Sequence, residues 1–134
     1  MVKDVHDYYN EAAEVHAQKR DEQIGRLKGK EIRIVQKHVR CDYKILDLCC
    51  GAGAFLFPLD HDYDITGVDF SEEMVKIARK KDSNANIILA DTKELPFRND
   101  TFNTILLTGY CLGTMQKEDR EKTLVEARRV LKRG

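Results

Sequence analysis

The stretch Asp47-Leu48-Cys49-Cys50-Gly51-Ala52-Gly53-Ala54-Phe55 sets an acidic side chain just ahead of a turn built from small residues. Gly51 and Gly53 carry no Cβ, so a ligand can approach bare backbone there. A tight strand-to-helix turn would explain either glycine alone, but not the pair with Asp47 before it. Asp69 follows 22 residues after Asp47, at the end of a second apolar run. A carboxylate in that place can accept hydrogen bonds from both ribose hydroxyls of a nucleoside. Asp91 ends a third run, where a carboxylate can accept from an adenine amino group while the next backbone N–H serves a ring nitrogen. Each acid taken singly is an ordinary turn or helix-entry residue. Three on successive run ends make coincidence a poor explanation.

The elements that must position these acids follow from the texture of the chain. Residues 44–50, 64–69, 86–91 and 102–108 are short apolar runs, and helical stretches are predicted over Ala54–Leu59, Ser71–Lys81 and Lys117–Lys132. Strands alternating with helices imply right-handed crossovers and an α/β fold, a Rossmann-like parallel sheet covered by helices on both faces. Ser71 is the N-cap of its helix, and Met74, Ile77 and Ala78 form that helix's buried stripe. In the last helix Leu124, Ala127 and Leu131 share one face, and Lys132, Arg133 and Gly134 mark its end. Ahead of the sheet, two helices are predicted, from Val5 to Ile24 and from Lys28 to Val39, with the break at Gly25 and Gly29. Ile32, Val35 and Val39 give the second a core face. The first, with Tyr8, Tyr9, Ala12, Ala13 and Val15 among many charges, suits a flap. The division expected is residues 1–42 as cap helices and 43–134 as the ligand-binding domain.

The 134 residues balance 23 basic against 23 acidic side chains, so the charge is not that of a general nucleic-acid binder. One compact domain of this length buries a core without disulfide or metal support. No apolar run reaches membrane-spanning length, and the start lacks the apolar stretch of a secretory signal, so a cytoplasmic location is expected. Cys41, Cys49, Cys50 and Cys111 form no C-x-x-C pair, and adjacent side chains in a strand point to opposite faces. Buried, reduced thiols are expected, and no metal site. His6, His16, His38 and His61 are too scattered to suggest one.

With these motifs in place, the chain resembles the class I S-adenosylmethionine-dependent methyltransferases, specifically the methyltransferase type 11/25-like domain. ILDLCCGAGAF, GVDFSEEMVKIAR, LADTKELPFRNDTFNTI and LVEARRVLKRG carry the resemblance in family order, over about residues 44–134, and DYYNEAAEVH is similar to the amino-terminal cap helix. The glycine turn is a weak signal by itself, whereas four ordered segments are a strong one. The resemblance implies S-adenosylmethionine as cofactor. Asp47, Cys49, Gly51 and Gly53 would cradle its methionine part. Asp69 would hold the ribose, with Phe70 and Met74 beside the adenosine, Asp91 and Thr92 would face the adenine edge, and Thr108 would lie near the sulfonium. Tyr8 and Tyr9 either close over the cofactor or simply pack.

The implied activity is methyl transfer to an unidentified small-molecule or RNA acceptor. Its rivals are a non-catalytic cofactor-binding module or fragment and, further off, a nicotinamide-dependent oxidoreductase. The last would want G-x-G-x-x-G, and here Leu56 holds the third position. No residue is assigned as general base; His6, His16 and Tyr110 qualify by type alone, beside plain surface or core roles. Two departures stand out within the motifs: Cys49 replaces a glycine, and Asn103 replaces the acid that usually follows the fourth-strand Phe. The family pattern also runs on into three more strands. The expectation is therefore a chain truncated after its fourth strand and the following helix, open along an apolar strand edge and able to self-associate there.

Overall fold

The computed structural model describes residues 4–26, 29–108 and 111–134. Tyr110 and Lys28, the expected start of the second cap helix, lie outside the described residues. Four strands, β1 (Lys44–Leu48), β2 (Asp64–Asp69), β3 (Ile87–Leu89) and β4 (Thr104–Leu107), pair in parallel in the order β3-β2-β1-β4. Each lies within one of the apolar runs. The order reverses direction at β1, so the crossovers leave from opposite sides of it and a crevice opens beyond the carboxyl ends of β1 and β4.

Both faces of the sheet are covered, which is why the central strands are apolar on both sides. On one face Ile45 and Ile65 pack with Leu56 and Leu59 of α4 (Leu56–Leu59), Val75 and Ala78 of α5 (Glu72–Lys81), and Ile32 and Val35 of α3 (Lys30–His38). On the other, Leu46, Leu48 and Val68 pack with Phe102 and with Ala127 and Val130 of α6 (Lys117–Val130).

Several elements differ from expectation, each for a local reason. α4 begins at Leu56 rather than Ala54 because Gly51 and Gly53 hold φ of +55° and +86°, outside helical space. The first cap helix divides into α1 (Val5–Glu11) and α2 (Ala13–Arg26), and α2 runs through Gly25. The division coincides with a tertiary contact: Asn10 at the end of α1 turns its side chain to the start of α5. Gly29, at φ +65°, is the N-cap of α3. The buried face of α6 is Thr123, Ala127 and Val130, and Leu124 is exposed, correcting the stripe of Leu124, Ala127 and Leu131. The helix is anchored one position round because Arg129 donates to the carbonyls of Leu95 and Phe97, and Glu126 accepts from the Leu95 N–H.

Asn103 stands where an acid was expected, and its Oδ1 accepts from the Lys44 N–H at 2.9 Å, pinning the start of β1 to β4. On the outer side of β4 a parallel bridge joins Leu131 to Phe102. Thr104–Leu107 is the last strand of the sheet on that side, and Leu107 is exposed.

Candidate functional site

β1 ends at Leu48, and the chain turns at once: Cys49 takes φ +63°, and Gly51 and Gly53 take the values above. These reversals bring the turn back under the end of β2, where the Cys50 N–H donates to the Val68 carbonyl at 2.9 Å. Asp69, the last residue of β2, is buried and fixes both neighbouring segments. Its Oδ2 accepts from the Gly51 N–H and its Oδ1 from the Ser71 N–H, each at 2.9 Å. Burial pushes the Asp69 carboxyl up from its ordinary value, and these backbone donors oppose the rise. The Phe70 N–H also bears on this carboxylate, and an ionised carboxylate offers about four acceptor sites, so capacity remains for a ligand.

Ser71 caps α5 by accepting from the Met74 N–H, and donates its hydroxyl to Asn10 Oδ1 at 2.6 Å. That bond seats α1 over the turn. The Phe70 ring lies edge-on to His6 and Tyr9, with centroids 5.5 and 6.2 Å away. Half-buried Tyr9 stands beside Thr114, whose hydroxyl donates to the Cys111 carbonyl at 3.0 Å. Burial pushes the Tyr9 phenol up, the charges of Tyr8 and Asp69 add to this, and the Thr114 hydroxyl works against it. His16 on α2 holds Tyr8 Oη at 3.0 Å from its Nε2.

Together these elements wall a cavity of about 740 Å³ beyond the carboxyl ends of the strands. Of the residues read from the motifs, Cys49, Gly51, Asp69, Phe70, Met74, Asp91, Thr92 and Thr108 line it. Asp91 is exposed, and Lys93 Nζ stands 3.6 Å from it and 3.3 Å from Asp119. Thr92 is buried, and its hydroxyl is shared with Thr123 on α6 at 2.9 Å.

Asp47 and Gly53 do not line this cavity. Gly53 faces the other side of the turn, where an added Cβ would run into the Phe57 ring. Asp47 lies wholly buried beneath the turn, and neither carboxylate oxygen has a hydrogen-bond partner. Desolvation is the main force raising its pKa to about 7; Asp69 adds to the rise and Arg20 opposes it. An orphaned acid at this depth costs folding energy, the signature of a group held for a ligand or for its charge.

Arg20 belongs to a set the motifs did not announce. Its guanidinium sits 5.3 Å from the Phe55 ring centroid and lines the cavity with Ala17 and His16 of α2. Thr114, Met115 and Cys111, after β4, complete the wall. None has a sequence signal of its own; each is brought in by helix docking or by the position of β4.

The thiols also correct expectation. Cys49 and Cys111 are disulfide-bonded, with Cα atoms 6.0 Å apart across a separation of 62 residues, and Cys41 is exposed. Cys50 alone is a buried free thiol, and burial raises its pKa well above the usual value. The pairing arises because β4 is the sheet neighbour of β1, which sets the two following loops side by side.

A parallel sheet whose first turn is glycine-lined, with acids after the next two strands facing one crevice, defines an open α/β domain with its ligand crevice at the carboxyl ends of the strands. Residues 45–134 match the family model described as "Methyltransferase domain", and the chain belongs to that family. It is 34% identical over 103 residues to the demethylmenaquinone methyltransferase of Staphylococcus aureus, covering 72% of this chain and 42% of that protein. The chain thus spans less than half the length of this relative. Among solved structures, the PH0226 protein of Pyrococcus horikoshii superposes with a TM-score of 0.75 at 28% identity, over 94% of this chain and 61% of that one. A TehB-like SAM-dependent methyltransferase from Corynebacterium glutamicum gives 0.75 at 24%, over 89% and 66%, a likeness of fold.

Proposed function

We propose that this chain binds S-adenosylmethionine and forms the cofactor-holding part of a methyltransferase acting on a small-molecule or RNA acceptor. The observation that carries the reading is Asp69, locked between the Gly51 and Ser71 N–H groups in the cavity wall with acceptor capacity to spare, as a ribose diol requires. The cavity fits the group in other ways. Its wall carries Asp69, and Asp91 and Asp119 paired with Lys93, with Asp47 beneath, an acidic balance suited to a ligand bearing a sulfonium and an ammonium. Arg20 is the basic group on the α2 side, its guanidinium also bonded to Gln23 and 4.0 Å from Glu31.

When bound, the cofactor supplies a methyl group already activated by its positive sulfur. The protein's part is to position and to exclude water. Phe55, Phe70 and Tyr9 give apolar walls, and Thr108 stands at the end of β4, where an acceptor would enter. We place the activity in the cytoplasm, where exposed Cys41 stays a free thiol and the Cys49–Cys111 bond is open to reduction. No helix among the described residues is long and apolar enough to cross a membrane. We further propose that the chain self-associates through the outer edge of β4.

Calorimetric titration with S-adenosylmethionine and its demethylated product tests the cofactor reading. Asp69→Ala should weaken binding by about 1.5–3 kcal/mol for each charge-assisted bond lost, and Asp91→Ala, at an exposed position, should weaken it without touching the fold. Folded wild-type chain silent to both ligands at millimolar concentration would sink the assignment, and binding of a nicotinamide dinucleotide instead would replace it.

A further inference from the structure

The Cys49–Cys111 pair lies in the cavity wall, at a place where it bears on how the cavity opens. Cys49 belongs to the glycine turn and Cys111 to the segment leading into the short 3-10 helix Leu112–Thr114. That segment, residues 111–116, is fastened on two sides. The disulfide ties it to the turn, and Thr114 sits against Tyr9 of α1, which is itself seated on α5 through Asn10 and Ser71. With both in place, the turn, the post-β4 segment and the cap helix form one connected rim.

Both cysteines are partly exposed and line the cavity, so a small thiol can reach them. Accessible disulfides are the labile ones, in contrast to bonds sealed in a core. Cys50 is not an alternative partner. Its Sγ is turned into the core against Gly67, where an added Cβ would meet it at 2.7 Å.

We propose that Cys49 and Cys111 form a reversible thiol–disulfide latch on the cavity rim, set by a small thiol/disulfide couple, that slows entry and exit of the cofactor when oxidised. The inference rests on the cofactor reading above. In the closing step the two Sγ–H groups give up two electrons and two protons to a low-molecular-weight disulfide. Its S–S bond breaks to yield two thiols as the Cys49–Cys111 bond forms. Reduction runs the same exchange backwards.

Binding of S-adenosylmethionine to immobilised full chain, followed by surface plasmon resonance with and without a phosphine reductant, tests the latch. Thiol counting by alkylation and mass spectrometry fixes the redox state of each sample. The oxidised chain should show association and dissociation at least tenfold slower than the reduced chain. Cys111→Ser should exchange at the reduced rate whether or not reductant is present, whereas Cys41→Ser should keep the wild-type redox response. Equal rates in the two wild-type states, or no Cys49–Cys111 bond after treatment with glutathione disulfide, overturns the latch and leaves the cofactor reading standing. Absence of binding in both states overturns the cofactor reading and the latch with it.

Discussion

Replacing Asp47 with Asn should change the pH dependence of stability more than any other single substitution in the central strand. Asp47 is fully buried with both oxygens unpartnered, and its pKa is raised from 3.8 to about 7, chiefly by desolvation. Below about pH 4 the group carries its proton in folded and unfolded chains alike. Between about 4 and 7 the unfolded chain releases that proton and the folded chain keeps it, so stability falls as pH rises and levels off above 7. A pKa difference of about three, at about 1.4 kcal/mol each, sets an upper limit of about 4 kcal/mol on this loss. Asn has no charge to desolvate, so the variant should lack that slope. Its buried amide still needs partners, which costs about 1–3 kcal/mol at every pH, so the comparison must rest on the slope rather than on stability at one pH. Urea unfolding of both chains from pH 4.5 to 8 supplies it. A wild-type chain that weakens no more than Asp47→Asn over that range would refute the claim that Asp47 is a buried, uncompensated acid.

Gly53→Ala should destabilise by about 1–3 kcal/mol, because its Cβ meets the Phe57 ring at a φ of +86°; the double variant with Phe57→Ala should recover part of the loss in the same urea assay. Thr123→Val removes the buried partner of Thr92 and should cost about 1 kcal/mol, read as a lower unfolding midpoint. Arg129→Ala frees the carbonyls of Leu95 and Phe97 and should lower the midpoint several times more than Arg128→Ala at an exposed neighbour. Sedimentation velocity should show self-association through the β4 edge, and a lysine placed at exposed Leu107 should reduce it; a wild-type chain monomeric at all concentrations would end that proposal.

What the sequence by itself determined is the part of the protein governed by local spacing. The apolar runs mark β1 to β4, Ser71 caps α5 as its residue type demands, and the glycines of the first turn take the left-handed backbone that only they adopt cheaply. The acids Asp69 and Asp91 were legible because strands in a parallel sheet all present their carboxyl ends at one edge, so position along the chain translates into position at the crevice. Tertiary structure decided everything that depends on which elements become neighbours. Asp47 carries the same motif signal as Asp69, yet sits under the turn rather than in the cavity, because φ reversals at Cys49, Gly51 and Gly53 fold the chain over it. Arg20 and Tyr9 reach the cavity because the cap helices dock there, through the Asn10–Ser71 bond across 61 residues, the Asp21–Lys81 ion pair and Ala13 and Ala17 against Met74. Cys49 and Cys111 meet for a like reason: β4 pairs beside β1, a choice made by burial of both sheet faces and invisible in the spacing of the cysteines.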